Sequence, residues 1–354
     1  MPEATSYQDA MRHALALALN GPAHGVNPQV GAVILDRTGK IIAEGWHMGS
    51  GTPHAEIVAL AQLAIIPDGA TAVVTLEPCN HTGKTGPCAQ ALIKAGISRV
   101  VYASSDVGGV SAGGASTLRE AGIEAIGGVL AAEADEQNRV WIQSTKQGRP
   151  FVTLKWATSL DGRAAANDGT SQWISGPESR AESHVRRSQV DAIIVGTGTV
   201  LADDPTLTAR KPDGSLYEHQ PLRVVVGERP IPATAKIFNN QAPTLVLQTR
   251  DLNQALLQLK QRGVKHVWVE GGPHLASQFV AHGLVNEYVI YLAPMLLGGA
   301  RTALTDIGVG SMPDAKHLRI KSSQPLGEDL LIIAAPQDST PKAPANGVTV
   351  KEEN

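Results

Sequence analysis

Aromatic side chains are scarce: 3 Phe, 5 Trp and 5 Tyr are spread through 354 residues. A chain so poor in rings lacks the stacking surfaces on which single-stranded nucleic acids are bound. An excess of one charge is missing too. Lys and Arg number 30 against 33 Asp and Glu, a formal net charge of −3, and no block of five like charges occurs. Residues 1–148 hold 9 basic and 13 acidic side chains, and residues 149–336 hold 19 and 17. Neither part has the positive surplus that a phosphate backbone demands, so nucleic acid is not an expected partner.

No stretch approaches the ~18 consecutive apolar residues of a membrane span, and Met1 to Gln8 lack a basic segment followed by an apolar one. The expectation is a cytoplasmic protein with no membrane partner. Cysteine is nearly absent: Cys79 and Cys88 are the two in the chain. That is too few for a disulfide scaffold, and without export a metal-binding or reactive role is the better reading.

What is plentiful is punctuation. Gly (36) and Pro (22) imply many tight turns between short elements, and 42% apolar content is enough for buried cores. At roughly 100–200 residues per domain, 354 residues predict two domains. Residues 6–19 put Met11, Ala14, Leu15 and Ala18 on one helical face, with Ser6 as cap. A hairpin of QVGAVIL (29–35) and KIIAEGW (40–46) follows, then an alternation of helices (54–65, 88–95, 116–121) with strands (71–76, 99–103). This predicts a largely parallel sheet between helices, with ligands at the carboxyl ends of its strands.

At Gln147-Gly148-Arg149-Pro150 the pattern restarts, which sets the expected boundary at 148/149. Strands are predicted at 151–157, 191–196, 222–227, 244–249, 266–271, 287–293 and 329–335, and helices at 177–189, 252–262 and 273–282. The Pro-, Ser- and Thr-rich end, residues 337–354, reads as a disordered tail beyond a second domain of 149–336.

Chemistry concentrates in PHAE (53–56) and EPCNHTGKTGPC (77–88). A hydrolytic zinc wants three N or S ligands and one open position, and His54, Cys79 and Cys88 supply that set. Glu56, two residues beyond His54, has no ligand duty in this scheme. It is free to take a proton from activated water and pass it to a leaving amine. The order H-x-E followed by P-C and a second Cys is the signature of zinc deaminases, here with eight residues rather than two between the cysteines. For either word alone, a polar helix cap and small core cysteines are equally good readings; together they favour the zinc site. A purely structural zinc would need a fourth protein ligand, for which His81 is nearest.

NPQVGAV (27–33), GWHMGSGTPHAE (45–56), TLEPCNHTGKTGPC (75–88) and AGISRVVYA (95–103) resemble the deaminase half of the bifunctional riboflavin-biosynthesis deaminase/reductase (RibD) family. The long cysteine spacing belongs to that family. The resemblance implies a cytidine-deaminase-like three-layer α/β/α domain, with Asn27, His47 and His81 lining a pocket for a pyrimidine and its ribose phosphate. Where the family shows Asp-Pro-Asn-Pro, this chain keeps Asp106 but continues with Val107, Gly108 and Gly109.

The second half lacks a nucleophile elbow and a G-x-G-x-x-G run. LKWATSLDGRAA (154–165), SQWISG (171–176), VGTGTVLADDPTLTAR (195–210), VEGG (269–272) and LAPMLLGG (292–299) resemble the reductase half of the same family. That implies a dihydrofolate-reductase-like α/β domain using NADPH. By resemblance, Ala157, Trp173, Thr199, Asp203 and the run from Gly272 hold the cofactor. Ser171, Arg187, Leu207, Arg210 and Glu270 hold the substrate. Hydride transfer asks the protein mainly for distance and angle, which small residues allow. Val269-Glu270-Gly271-Gly272 ahead of a helix suits phosphate, and Arg187 and Arg210 suit a ribose phosphate through charge-assisted hydrogen bonds.

The implied activity is hydrolytic deamination of 2,5-diamino-6-ribosylamino-4(3H)-pyrimidinone 5′-phosphate, then reduction of its ribosyl chain to ribityl by NADPH. The rival readings are a tRNA or single-stranded DNA base deaminase and a non-catalytic zinc interaction module. A small anionic metabolite is the expected partner, and the sequence leaves room for a homo-oligomer.

Overall fold

The computed structural model describes residues 4–81 and 86–337. The tail expected over 337–354 falls, from residue 338 onward, outside the described residues. The chain divides into two compact units: Met1–Val152 with Arg180–Gly272, and Thr153–Ser179 with Pro273–Asn354. That grouping runs across position 148/149, where the sequence pattern restarts.

In the first unit, a five-stranded sheet is built from β1 (Gly31–Leu35), β2 (Ile41–Trp46), β3 (Thr71–Leu76), β4 (Arg99–Ser104) and β5 (Glu124–Ile126), in the order β2-β1-β3-β4-β5. β1 runs antiparallel to β2 and β3, and β3, β4 and β5 are parallel. Its helices are α1 (Ala4–Ala18), α2 (Ala55–Leu60), α3 (Cys88–Lys94), α4 (Gly114–Glu120), α5 (Ala131–Gln137) and α6 (Arg139–Gln147).

Both faces of this sheet are buried, and the two-residue period of a strand sorts the side chains between them. Val33, Leu35, Val73, Val101 and Ala103 pack with Met11, Ala14, Leu15 and Ala134 from α1 and α5. Ala32, Ile34, Ala72, Val74 and Val100 point the other way, to Ala55, Ala59, Ala89, Leu92 and Leu118 from α2, α3 and α4. The result is three layers. Burying each of the Val, Leu, Ile and Met side chains among them contributes about 1.5–3 kcal/mol.

The helix expected over 54–65 is shorter. It begins at Ala55, with His54 as an extended cap at ψ 160, and ends at Leu60. Pro53 precedes the cap. The first helix starts at Ala4, so Ser6 lies inside it instead of capping it. α5, α6 and β5 were absent from the sequence reading.

β6 (Phe151–Ser159) carries the chain from the first unit into the second. The first unit then gains α7 (Pro177–Arg187), assigned to it from Arg180, together with β7 (Ala192–Gly196), α8 (Thr197–Asp203), β8 (Leu222–Val226), β9 (Thr244–Leu247), α9 (Leu252–Gln261) and β10 (His266–Val269). These four strands are parallel in the order β10-β7-β8-β9. The second unit holds α10 (Pro273–Ala281), β11 (Glu287–Ala293), β12 (Leu318–Leu326) and β13 (Asp329–Pro336). There β11 pairs in parallel with β6, and the run β11, β13, β12 is antiparallel.

Two glycines bring helices close enough to the first sheet to shape the site. A Cβ on Gly45 of β2 would stand 2.5 Å from Ala55 O, so α2 can settle on the strand only because that atom is missing. A Cβ on Gly114 would stand 1.7 Å from Pro78 O, which fixes the start of α4 against the loop carrying Cys79.

Candidate active site

β3 ends at Leu76, and the chain turns through Glu77, Pro78 and Cys79 at its carboxyl end. α2 arrives from the other side with His54 and Glu56, and Cys88 is the first residue of α3. His54 Nδ1 lies 3.2 Å from Cys88 Sγ and 3.5 Å from Cys79 Sγ. The three ligand atoms all fall within 4.8 Å of one another. A tetrahedral zinc at ordinary bond lengths sets N···S edges of ~3.5 Å, so the donors fit that ion. His81 is not in this cluster, which has three members among the described residues.

The Cys88 N–H donates to Cys79 Sγ at 3.4 Å. A hydrogen bond between the two side chains, donated by the Cys88 thiol, with a further contribution from His54, holds the Cys79 thiol down at about 4. The same hydrogen bond, reinforced by burial, pushes the Cys88 thiol up. His54 is raised, chiefly by its hydrogen bond to Cys79. Glu56 is 4% exposed, and burial lifts its carboxyl above the usual range, the tuning expected of a group that both takes and gives a proton.

Beside this cluster is a cavity of about 400 Å³, bordered by Asn27, His47, His54, Glu56, Cys79 and His81 among others. All three pocket residues expected from the resemblance are there. His47 Nδ1 is 3.0 Å from Pro53 O, which can only accept, so that nitrogen carries the hydrogen. Nε2 then accepts from Asn27 Nδ2 at 2.8 Å. Burial lowers the His47 pKa and so favours this neutral ring. Asn27 spends one donor on His47 and keeps its oxygen for another partner. His81 Nδ1 has no hydrogen-bond partner among the described residues.

The cavity lining includes residues that the sequence patterns do not single out, Glu77 and Trp141 among them. Glu77 is buried; its Oε1 accepts from the Ala115 N–H at 3.0 Å and its Oε2 from the Asp106 N–H at 3.3 Å. It thereby holds the divergent 106–109 loop, where Asp106 Oδ1 accepts from the Gly108 N–H at 2.7 Å. Trp141 reaches the cavity from α6. The signal for Glu77 was visible, a carboxylate just before Pro-Cys, whereas Trp141 rode on a helix the sequence reading omitted.

The residues expected in the reductase fall in both units. Ala157, Ser171 and Trp173 belong to the second, where Trp173 is 66% exposed. Thr199, Asp203, Arg187, Leu207, Arg210, Glu270 and Gly272 belong to the first. Within the first, Gly272 N–H donates to Thr199 Oγ1 at 3.2 Å, joining two expected cofactor residues. Asp203 closes α8 and is exposed.

Arg187 forms a bidentate pair with Glu270, Nε to Oε1 at 2.8 Å and Nη2 to Oε2 at 2.5 Å, and Trp268 Nε1 also donates to Oε1. Arg187 Nη1 donates to Thr208 O. Arg210 Nη1 donates to Thr206 Oγ1 at 2.8 Å and Thr208 Oγ1 at 3.0 Å. Burial lowers the Arg210 pKa, and the Arg187 charge adds to that. Asp204 and Leu207 have φ of 41° and 51°, backbone that side-chain-bearing residues rarely adopt.

Comparison with known proteins gives a consistent picture. Residues 4–104 match the cytidine and deoxycytidylate deaminase zinc-binding region, and residues 150–332 match the RibD C-terminal domain. The riboflavin biosynthesis protein RibD of Mycobacterium tuberculosis (strain ATCC 25618 / H37Rv) is 48% identical over 306 residues, 86% of this chain and 90% of that protein. The Escherichia coli (strain K12) protein of the same name is 36% identical over 358 residues, 91% and 97% of the two chains. Among solved structures, Acinetobacter baumannii RibD superposes with a TM-score of 0.87 at 36% identity, covering 95% of this chain and all of that one. A diaminohydroxyphosphoribosylaminopyrimidine deaminase/5-amino-6-(5-phosphoribosylamino)uracil reductase from Thermotoga maritima gives 0.84 at 32% identity, covering 94% and 99%.

Proposed function

Because the chain belongs to the RibD family, a bifunctional deaminase and reductase of riboflavin biosynthesis with zinc and NADPH as cofactors, we propose which of its residues perform the two reactions and on what substrate. His54 Nδ1, Cys79 Sγ and Cys88 Sγ hold the zinc, and Glu56 is the proton carrier. The observation that carries this is the convergence of those three atoms within 4.8 Å, beside a cavity that Glu56 borders. The substrate is 2,5-diamino-6-ribosylamino-4(3H)-pyrimidinone 5′-phosphate.

When bound, zinc supplies the Lewis acidity that makes water nucleophilic near neutral pH. Glu56, its carboxyl raised by burial, takes the proton released as water attacks the amine-bearing ring carbon. It returns that proton to the departing nitrogen, and ammonia leaves. Asn27, oriented by neutral His47, presents its oxygen to the pyrimidine edge, and His81 faces the ribose phosphate. Residues 1–148 form this deaminase.

In residues 149–336, Thr199, Asp203 and Gly272 of the first unit are assigned to NADPH, as are Ala157 and Trp173 of the second. The Arg187–Glu270 pair, Arg210 and Leu207 of the first unit are assigned to the substrate phosphate and ribosyl chain, and Ser171 of the second is assigned to the substrate. Glu270 already accepts three hydrogen bonds, so its part is to orient Arg187 as much as to touch the substrate. The ligand is a free metabolite rather than nucleic acid, a reading supported by the net charge of −3. No helix among the described residues is long and apolar enough to cross a membrane, and we place the enzyme in the cytoplasm.

The test is incubation of the zinc-loaded full chain with the diaminopyrimidine phosphate. Ammonia is expected without NADPH, and addition of NADPH should bring a two-hydrogen gain in the deaminated product. Ammonia release that requires NADPH, or none at all, overturns the assignment.

A further inference from the structure

Gly25 lies two residues ahead of Asn27, and its N–H donates to Asp191 Oδ1 at 2.5 Å. Asp191 stands just before β7, in the part of the chain matched to the reductase. Its other oxygen, Oδ2, accepts from the N–H groups of Lys265 and His266, each at 2.8 Å, where β10 begins. One carboxylate therefore ties the loop carrying Asn27 to two parallel strands of the first unit. Amide hydrogen bonds to an ionised oxygen are roughly twice as strong as neutral ones.

A second grip lies beside the first. The His24 ring stacks on His219, centroids 3.5 Å apart and planes 7° from parallel. His219 Nε2 donates to the carbonyl of Val190, the neighbour of Asp191. At the other end of the loop, the Asn138 side chain pairs with both the N–H and the C=O of Gln29, each at 2.9 Å. Only Val26, Asn27 and Pro28 lie between these anchors, so the position of Asn27 follows from them.

We propose that Asp191 is a positioning residue for deamination. It fixes Gly25 and so holds Asn27 and its hydrogen bond to His47 at the pocket, making the deaminase pocket depend on a residue outside the 4–104 zinc-binding region. The inference rests on the reading of Asn27 as a substrate-holding residue.

The experiment uses zinc-loaded full-length Asp191→Ala and Asp191→Asn, with Asn27→Ala in parallel. For Asp191→Ala, the loss of a charged hydrogen-bond partner predicts a deamination KM raised ~10-fold with kcat within ~3-fold. Zinc content should be unchanged, and reductase kinetics on the deaminated product should stay within ~2-fold. Hydrogen exchange should quicken in the peptide spanning 20–30 but not in β1 or β3. Asp191→Asn, which keeps one acceptor oxygen, should fall between wild type and Asp191→Ala; if the alanine variant does not fold, the asparagine variant carries the same readouts.

A wild-type deamination KM in Asp191→Ala, with a raised KM in Asn27→Ala, overturns the proposal. So does a parallel fall of both activities with protection lost throughout the chain. A normal KM in Asn27→Ala, even beside a raised one in Asp191→Ala, would remove the role given to Asn27 and with it the route by which Asp191 is proposed to act.

Discussion

His54 Nδ1 stands 3.2 Å from Cys88 Sγ although 34 positions separate them in sequence. Two helix starts on one face of the first sheet create that proximity. His54 caps α2, and Cys88 opens α3. Replacing Cys88 by Ser should therefore leave the fold of the sheet intact while removing one soft ligand. Zinc content by elemental analysis is expected to fall well below one ion per chain, and ammonia release by more than ~10²-fold. NADPH oxidation on the deaminated product should persist. Full deamination by a zinc-free Cys88→Ser chain would sink the metal assignment.

The role proposed for Glu56 separates proton transfer from metal binding. Gln has the same shape but cannot carry the proton, so Glu56→Gln should retain zinc and lower the deamination kcat by ~10²–10⁴-fold. Turnover at the wild-type rate, measured as ammonia, would show that another group moves the proton.

Gly114 tests how the fold delivers Cys79. A methyl group there would meet Pro78 O at 1.7 Å, and backbone on both sides cannot swing away as a flexible side chain can. Gly114→Ala should lose about 1–3 kcal/mol of stability in urea unfolding and release zinc to a chelator more readily than wild type. Gly86→Ala, where a Cβ would meet nothing within 4 Å among the described residues, is the matched control and should change stability by less than about 0.5 kcal/mol. Equal behaviour of the two variants would refute the packing argument.

Much of this site was legible in the sequence because its parts are local words. H-A-E, E-P-C and G-P-C each announce a residue type at an element's end, and the strand alternation around Val33, Val73 and Val101 announces the sheet beneath. What was hidden depends on long-range placement. Trp141 enters the cavity from α6, whose RVWIQSTKQ sequence mixes polar and apolar residues without a strong stop ahead of Gly148. β12 is almost wholly exposed, so Leu318 and Ile320 show no half-buried pattern, and Pro325 argues against a strand. Glu77 has its partners at Asp106 and Ala115, a relation that no spacing rule contains. Asp191 looks like the polar start of a strand until its three amide donors are seen together.

His184 gives a pH prediction with a defined sign. Burial and the charges of Arg187 and Arg210 bring its pKa down from 6.5 to about 4. In the folded chain the ring stays neutral, while in the unfolded chain it protonates near 6.5. Its contribution to stability is thus complete above that value and is lost as pH falls toward 4, with a slope of at most ~1.4 kcal/mol per pH unit. His184 Nδ1 accepts from the Arg210 N–H at 3.2 Å, and Asn offers an acceptor at the same place without titrating. His184→Asn should flatten the fall in urea midpoint between pH 6.5 and 4. Superimposable pH profiles would show that the ring does not titrate as described.

Under the proposed assignment, Arg210 is the residue expected to seat the anionic end of the reductase substrate. Its guanidinium is steadied by Thr206 and Thr208, and it lies near enough to Arg187 for the two charges to disfavour each other. Arg187 is largely neutralised by Glu270, so Arg210 contributes most of the uncompensated attraction for a phosphate. Removing a charged hydrogen-bond donor costs about 1.5–3 kcal/mol, so Arg210→Ala should raise the reductase KM for the deaminated substrate ~10-fold or more. The KM for NADPH should be little changed, because the residues assigned to that cofactor lie at Thr199 and Gly272. Inorganic phosphate should inhibit the wild-type reductase competitively with substrate and inhibit Arg210→Ala much less. A selective rise in the NADPH KM instead would move Arg210 from the substrate to the cofactor.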